Sequence, residues 1–179
     1  MPDPSLACLN EFVSLKMTQA EAGMNYQIRE LKSCEIPLLN EFLYEAIFIP
    51  EGAQAPPKDI VNHPDLQKYI ADFGGKDDVC YVAEVEGKVV GAVWTRIIHD
   101  FGHVDDETPS LSISIFKGYR NLGIGAALMQ QILLTLKKRG YKQVSLSVQK
   151  ANPALRMYEK LGFEIVRENE QDCIMVRRL

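Results

Sequence analysis

From residue 24 onward the apolar positions switch repeatedly between a period of two and a period near 3.6. Residues 26–31 alternate and predict a strand. Leu38, Leu39, Phe42, Leu43, Ala46 and Ile47 then share one helical face, with Ser33 ahead of them as a cap. A helix over 33–48 is expected. Residues 50–63 are rich in Pro and break the pattern. A short helix is expected over 64–73, stopped by Gly74-Gly75. Residues 79–85 and 88–98 are β-rich runs joined by Glu86-Gly87, a hairpin signal. A polar loop over 99–109 leads to a strand over 110–116. The longest helical stripe follows over 123–139, with Met129, Ile132, Leu133 and Leu136 on one face. Lys137, Lys138 and Arg139 complement the dipole of its last turn, and Gly140 ends it. A strand over 143–149 comes next. Asn152 and Pro153 then open a short helix that Gly162 closes, and residues 163–167 and 173–177 form a last hairpin. The order β-α-α-β-β-β-α-β-α-β-β predicts a mixed α/β layer structure.

Residues 1–23 do not share this rhythm. They read as an N-terminal extension, helical around residues 6–17: either an accessory helix or an upstream-start artefact. The recognisable domain spans 24–179. With 179 residues the chain has room for one domain and a tail, and its 46% hydrophobic and 25% charged residues are ordinary for a globular protein. The net charge of −4 argues against a protein that grips nucleic acid, because phosphate binding needs a dense basic surface. Half of that charge belongs to the extension, which holds Lys16 against Asp3, Glu11 and Glu21. Apolar runs fall short of the roughly 20 residues that cross a bilayer, and the opening residues lack a secretory pattern. No membrane association is expected. Cys8, Cys34, Cys80 and Cys173 lie far apart without a C-x-x-C pair. This argues against a disulfide framework or zinc site and for a reducing cytoplasm.

The chemistry concentrates where the strand over 110–116 runs into the long helix. Arg120 precedes Gly123-Ile-Gly125, and the helix starts there. Free N–H groups of a helical first turn, the positive dipole end and an Arg favour a phosphate-bearing ligand. A P-loop needs Lys-Ser/Thr after its last glycine, and Ile124-Gly125 stands there instead. A dinucleotide fingerprint needs a third small residue where Leu128 stands. Helix packing alone also accounts for two glycines.

A second motif, Asn152-Pro-Ala-Leu-Arg-Met-Tyr158-Glu-Lys-Leu-Gly162-Phe163, lies downstream. Together with Arg120-x-x-Gly123-x-Gly125 and the element order, it resembles the GNAT superfamily of N-acetyltransferases over nearly all of the chain after residue 23. Leu155 departs from the small residue common in its slot. The resemblance implies a central, mostly antiparallel sheet, splayed between its fourth and fifth strands and flanked by helices. It implies acetyl-CoA as co-substrate and no metal. Backbone groups of Ile113, Ser114 and Ile115 would meet the pantetheine arm. Arg120, Asn121, Leu122, Gly123, Ile124, Gly125 and Ala126 would cradle the pyrophosphate, and Asn152 would touch the arm or cap its helix.

The implied reaction is direct attack by an amine on the thioester. A backbone N–H near Ile115 would hold the oxyanion, and Tyr158 would protonate the departing thiolate. Packing under the sheet is the competing role of Tyr158, and Tyr119 is read as packing. Many GNAT enzymes carry a Glu near the start of the fourth strand; here Ser110 stands there. Glu107 is the nearest candidate base, with Ser110 itself in the site. Glu84, His99, His103, Asp105 and Asp106 are substitutes, and the acids also read as a solvated loop. His99 and His103 would suit a metal only on a helix, against which Gly102 argues. Cys80, Cys173 and Trp94 are expected in the core. The implied acceptor is an amine of an unidentified small molecule, peptide or protein, in a pocket that residues 33–75 and 99–109 would mostly form. A CoA-binding regulatory module without turnover, or use of another acyl-CoA, stands beside this reading. Edge strands in the last hairpin are compatible with a homodimer.

Overall fold

The computed structural model describes residues 25–179. The extension, its expected helix around 6–17 and Met24 lie outside them. Seven strands form one sheet: β1 (Gln27–Glu30), β2 (Val79–Val85), β3 (Lys88–Arg96), β4 (Ser110–Ile115), β5 (Gln143–Gln149), β6 (Glu164–Glu168) and β7 (Asp172–Arg178). Their spatial order is β1-β2-β3-β4-β5-β7-β6. All neighbours are antiparallel except β4 and β5, which run parallel. The helices are α1 (Leu39–Ala46), α2 (Pro64–Gln67), α3 (Ile124–Lys138) and α4 (Leu155–Lys160). This is the mixed α/β arrangement that the periodicities predict.

Alternation along the central strands gives the sheet two apolar faces. Tyr81, Ala83 and Val93 pack with Leu128, Met129, Ile132 and Leu136 of α3. Cys80, Val82, Ala92 and Trp94 pack with Leu39, Phe42 and Leu43 of α1. Each buried Leu, Ile or Met contributes roughly 1.5–3 kcal/mol, so the stripe of α3 anchors that helix firmly. Trp94 is a core residue, as expected, and its indole N–H donates to the Tyr69 carbonyl at 3.2 Å.

The break in the sheet is what positions the site. β4 and β5 share one bridge, Ser110 with Ser145, where the Ser145 N–H also donates to the Pro109 carbonyl at 3.0 Å. Beyond it the strands separate toward Ile115 and Gln149, the expected splay. The facing backbone edges of both strands are therefore free of sheet partners past the bridge. Along β4, Ser114 turns its hydroxyl to the Phe42 carbonyl of α1 at 2.7 Å, while Leu111, Ile113 and Ile115 pack on the α3 side.

Three expected boundaries differ. The helix over 33–48 is a 3-10 segment, Ser33–Leu38, followed by α1; Pro37 has no N–H to give an α-helical ladder. Ser33 is not the cap. Lys32 holds that position, and its N–H donates to Glu35 Oε2 at 3.0 Å. The helix over 64–73 is α-helical only to Gln67 and loosens into turns before Gly74. Asn152 Oδ1 accepts the Ala154 N–H at 2.9 Å, closing a turn that contains Pro153, and α4 starts only at Leu155.

Candidate active site

The link from β4 to α3 is tightly specified. Asn121 and Gly123 both take left-handed backbone conformations, with φ of 62° and 78°. Gly123 is the N-cap position of α3 and offers no side chain to the helix, so the first-turn N–H groups of this 15-residue helix have no side-chain cap. Gly125 has a packing role: a Cβ there would lie 3.3 Å from Ile115 Cδ1 and 3.5 Å from Met157 Sδ. Arg120 curls back over the end of β4. Its Nε donates to the Ile115 carbonyl at 2.7 Å, and its Nη2 pairs with Glu45 of α1 at 3.1 Å. Ile113, Ser114 and Ile115 thus form the free edge of β4, and the segment from Arg120 to Ala126 sits at its mouth.

A cavity of about 490 Å³ opens along the other side of the gap. Ser147, Val148 and Gln149 of β5 form its floor, and Asn152 lies at one end. Ala46 at the end of α1, Phe48 just after it, Tyr69 after α2, Phe101 of the loop before β4, and Arg167, Glu168, Asn169 and Asp172 around the β6–β7 turn form its walls. Of the segments 33–75 and 99–109 expected to build the acceptor pocket, Ala46, Phe48, Tyr69 and Phe101 line this cavity. The β5 floor and the hairpin wall carry no sequence motif that would have marked them. Of the aromatic residues around the first helix, Phe48 lines the cavity. Phe42 is core and stacks on Phe116, and the Tyr44 hydroxyl donates to the Pro56 carbonyl at 2.7 Å.

Tyr158 is buried, with its ring edge-on to Phe163. Its hydroxyl makes no hydrogen bond among the described residues, and burial pushes its pKa up to about 12. It is therefore packed and protonated at neutral pH. Tyr119, read as packing, lies against the same core. Burial likewise raises the thiols of Cys80 and Cys173, which makes them poor nucleophiles.

The acidic candidates separate clearly. Glu107 is exposed, and its side chain meets no polar partner among the described residues. Asp105 accepts the Glu107 N–H at 3.0 Å and the Gln143 amide at 3.2 Å, and its hydrogen bonds, first that from Thr108, hold its carboxyl below the usual range. Glu84 is tied to Arg29 at 2.6 Å. The carboxylate that reaches Ser110 is Asp100, a residue absent from the expected set. Ser110 is buried, and its hydroxyl donates to Asp100 Oδ2 at 2.5 Å. The chain between them presses into the β4–β5 vertex: a Cβ on Gly102 would lie 2.9 Å from Ser110 Oγ and 3.2 Å from both Leu146 C and Ser147 N. The expectation that His99 and His103 would suit a metal only on a helix also fails, since off any helix they and Asp106 bring one possible ligand atom each to within 4.8 Å of one another. The turn around Gly102 brings their ring centroids to 4.2 Å, and Asp106 pairs with both, at 3.5 and 3.7 Å. His99 and Asp106 are four-fifths exposed, so this is a surface ion-pair cluster.

A sheet split between two parallel strands, with an uncapped helix start at its mouth and a cavity along its floor, leaves room for a long anionic ligand. The comparisons identify the family. Residues 43–163 match the acetyltransferase (GNAT) family model. An N-alpha-acetyltransferase of Sulfurisphaera tokodaii is 32% identical over 162 residues, covering 86% of this chain and 89% of that protein. An N-alpha-acetyltransferase of Sulfolobus acidocaldarius is 35% identical over 153 residues, 80% and 83% of the two chains. Among solved structures, the ribosomal-protein-S18-alanine N-acetyltransferase of Escherichia coli aligns with a TM-score of 0.62 at 21% identity, over 86% of this chain and 93% of that one. The paia N-acetyltransferase of Thermoplasma acidophilum in complex with coenzyme A gives 0.63 at 19%, over 87% and 100%. The chain belongs to the GNAT family and is an acetyl-CoA-dependent N-acetyltransferase. No helix among the described residues is long and apolar enough to cross a membrane.

Proposed function

We propose that this enzyme acetylates the α-amino group at the N-terminus of a peptide or protein. The observation that carries the reading is the cavity beside β5. It is large enough for a few residues of chain, and it is walled by aromatic Phe48, Tyr69 and Phe101 together with polar Arg167, Glu168, Asn169 and Asp172. The two relatives named N-alpha-acetyltransferase, which share most of their length with this chain, support the same acceptor.

In this reading the gap between β4 and β5 takes the pantetheine arm, with the free edge at Ile113, Ser114 and Ile115 supplying hydrogen bonds. The uncapped N–H groups of Ile124, Gly125 and Ala126 hold pyrophosphate with Arg120, while Asn121, Leu122 and Gly123 shape the cradle. A polyanion there meets both the helix dipole and a guanidinium. Arg120 must then exchange its contact with Glu45 for the phosphates. Asn152, at the end of the cavity, flanks the arm while its side chain keeps the turn before α4.

Acetyl-CoA supplies the thioester. The acceptor nitrogen attacks its carbonyl carbon, a C–N bond forms and the C–S bond breaks. A backbone N–H near Ile115 stabilises the oxyanion. The departing thiolate takes a proton from Tyr158, which its burial keeps protonated.

The test is thiol release from acetyl-CoA with peptides that carry a free α-amine, a blocked α-amine with a free lysine, or neither, followed by mass spectrometry of the product. Acetylation at the free α-amine alone is expected. Faster turnover on lysine side chains or on small amines overturns this acceptor class.

A further inference from the structure

An amine acceptor is largely protonated near neutral pH, so acetyl transfer needs a group that removes its proton. The acids near the start of β4 do not supply one. Glu107 is exposed, Asp105 is committed to its own turn, and Glu84 is held by Arg29.

Asp100 differs from all of them. It forms no ion pair among the described residues. One carboxylate oxygen accepts the Ser110 hydroxyl, while Oδ1 is buried and lacks a well-formed hydrogen bond. A buried, half-satisfied carboxylate costs stability, and a fold keeps one where it serves a purpose. Asp100 also cannot withdraw: its loop is wedged at the β4–β5 vertex through Gly102, and the His103 N–H donates to the Asp100 carbonyl at 3.3 Å. Tyr69 stands beside the carboxylate and lines the cavity. Burial first, then the nearby charge of Asp100, push the Tyr69 phenol well above its ordinary range, and the unpartnered Oδ1 leaves Asp100 an open acceptor on that side. Tyr69 therefore stays an O–H and can pass a proton on while remaining neutral.

We propose that Asp100 is the proton acceptor of the transfer, with the Tyr69 hydroxyl relaying the proton from the acceptor amine and Ser110 holding the carboxylate in place. The balance is complete. Before attack, the ammonium gives one proton to the Tyr69 oxygen as the Tyr69 proton moves to Asp100, which becomes a neutral acid; the freed lone pair then forms the C–N bond, and the second nitrogen proton leaves to solvent as the amide forms. The C–S electron pair leaves on sulfur, which takes the Tyr158 proton. Asp100 returns its proton to solvent, and Tyr158 is reprotonated from solvent. Asp100 thus replaces the strand-borne Glu with a carboxylate delivered by a loop, and Ser110 becomes its positioning residue. This inference rests on the proposed site, with the acceptor amine in the cavity.

The groups around Asp100 are the Tyr69 phenol, the Ser110 hydroxyl, and His99 and His103 of its own loop. Lys68 stacks over the neighbouring Phe101 ring, and Arg96, across β3 from Ser110, is held by Asp78 at 2.9 Å. The test compares the pH dependence of kcat for the full chain and for Asp100→Asn, which preserves shape and the Ser110 contact. About a 100-fold loss of kcat is expected at pH 6.5–7. KM for the peptide and acetyl-CoA affinity should change little. The deficit should shrink to under about 10-fold by pH 9.5, where an α-amine with a pKa near 8 is already neutral. Tyr69→Phe should show a smaller loss with the same trend, and it carries the test should Asp100→Asn fold poorly. His99→Ala and His103→Ala, run in parallel, separate imidazole titration from that of Asp100. Wild-type kcat in Asp100→Asn, or a deficit that does not vary with pH, overturns the assignment. Wild-type protein that releases no thiol with any free-amine peptide overturns the acceptor reading itself, a separate outcome.

Discussion

In the proposed reaction, Tyr158 combines packing with chemistry in a single side chain. Its ring fills a place against Phe163, yet its hydroxyl has no partner to lose among the described residues. Tyr158→Phe should therefore leave thermal stability within about 0.5 kcal/mol of wild type, a surface-like change. Acetyl transfer should fall about 100-fold, the scale of one general acid, and acetyl-CoA affinity should hold. Steady-state kinetics with a binding titration checks this, and unchanged turnover removes Tyr158 from the reaction. Residues of this kind were legible in the sequence because their spacing is local. Arg120, Gly123 and Gly125 announce a helix start, and Asn152 to Phe163 lie on one continuous segment. Asp100 was not legible. It meets Ser110 only because a loop folds back on the strand ten residues later, and no period or motif encodes that closure. Glu107, nearer to the strand in sequence, is the more visible acid there, and it is exposed.

At the scale of elements, the long periodic segments were read almost to the residue. β5 and α3 bury one full face each, so their patterns are strong. Errors gathered where local hydrogen bonding competes with the pattern. Glu35 rather than Ser33 satisfies the first N–H of the 3-10 turn, and the Asn152 side chain closes its own turn instead of capping α4. The loop before β4 is an element in its own right, because its shape depends on one small residue. Any side chain at 102 collides with Ser110 Oγ and with the β5 backbone at Leu146–Ser147, and neither backbone nor a buried hydroxyl can give way easily. Gly102→Ala should cost roughly 1–3 kcal/mol by overpacking. It should also move Asp100 and Phe101 together, so kcat and peptide KM should both worsen. Thermal unfolding and peptide-saturation kinetics test this. A variant with lowered stability and normal kinetics shows that the loop does not shape the cavity.

Over the whole molecule, the cavity depends on α1 staying against the sheet, because Phe48 and the Glu45–Arg120 contact hang from its end. The segment leading into α1 is pinned at the sheet edge by Arg29 on β1, which pairs with Glu35 of the 3-10 turn at 2.7 Å and Glu84 of β2 at 2.6 Å. The carboxylate of Glu35 is only 17% exposed. Its hydrogen bond with Arg29 chiefly, opposed by burial, lowers its pKa to about 2, while that of Arg29 is raised and stays charged throughout. A carboxyl depressed on folding contributes stability that is fully present above its unfolded pKa, near 4.5, and is lost as pH falls through the folded one. Unfolding temperature should therefore decline between about pH 4.5 and pH 2. Glu35→Gln should remove roughly 1–2 kcal/mol at neutral pH, between the values for exposed and well-covered charged hydrogen bonds. That corresponds to about 2–8 °C in a chain of this size. The variant should lose less than wild type on acidification, so the two curves converge toward pH 2. Parallel curves that keep their neutral-pH separation show that Glu35 does not set the acid limit. If peptide KM rises with the loss of this pin while acetyl-CoA affinity holds, the acid limit and the proposed acceptor cavity share one cause, since the anchored helix walls the cavity while the proposed cofactor cradle lies at β4 and α3.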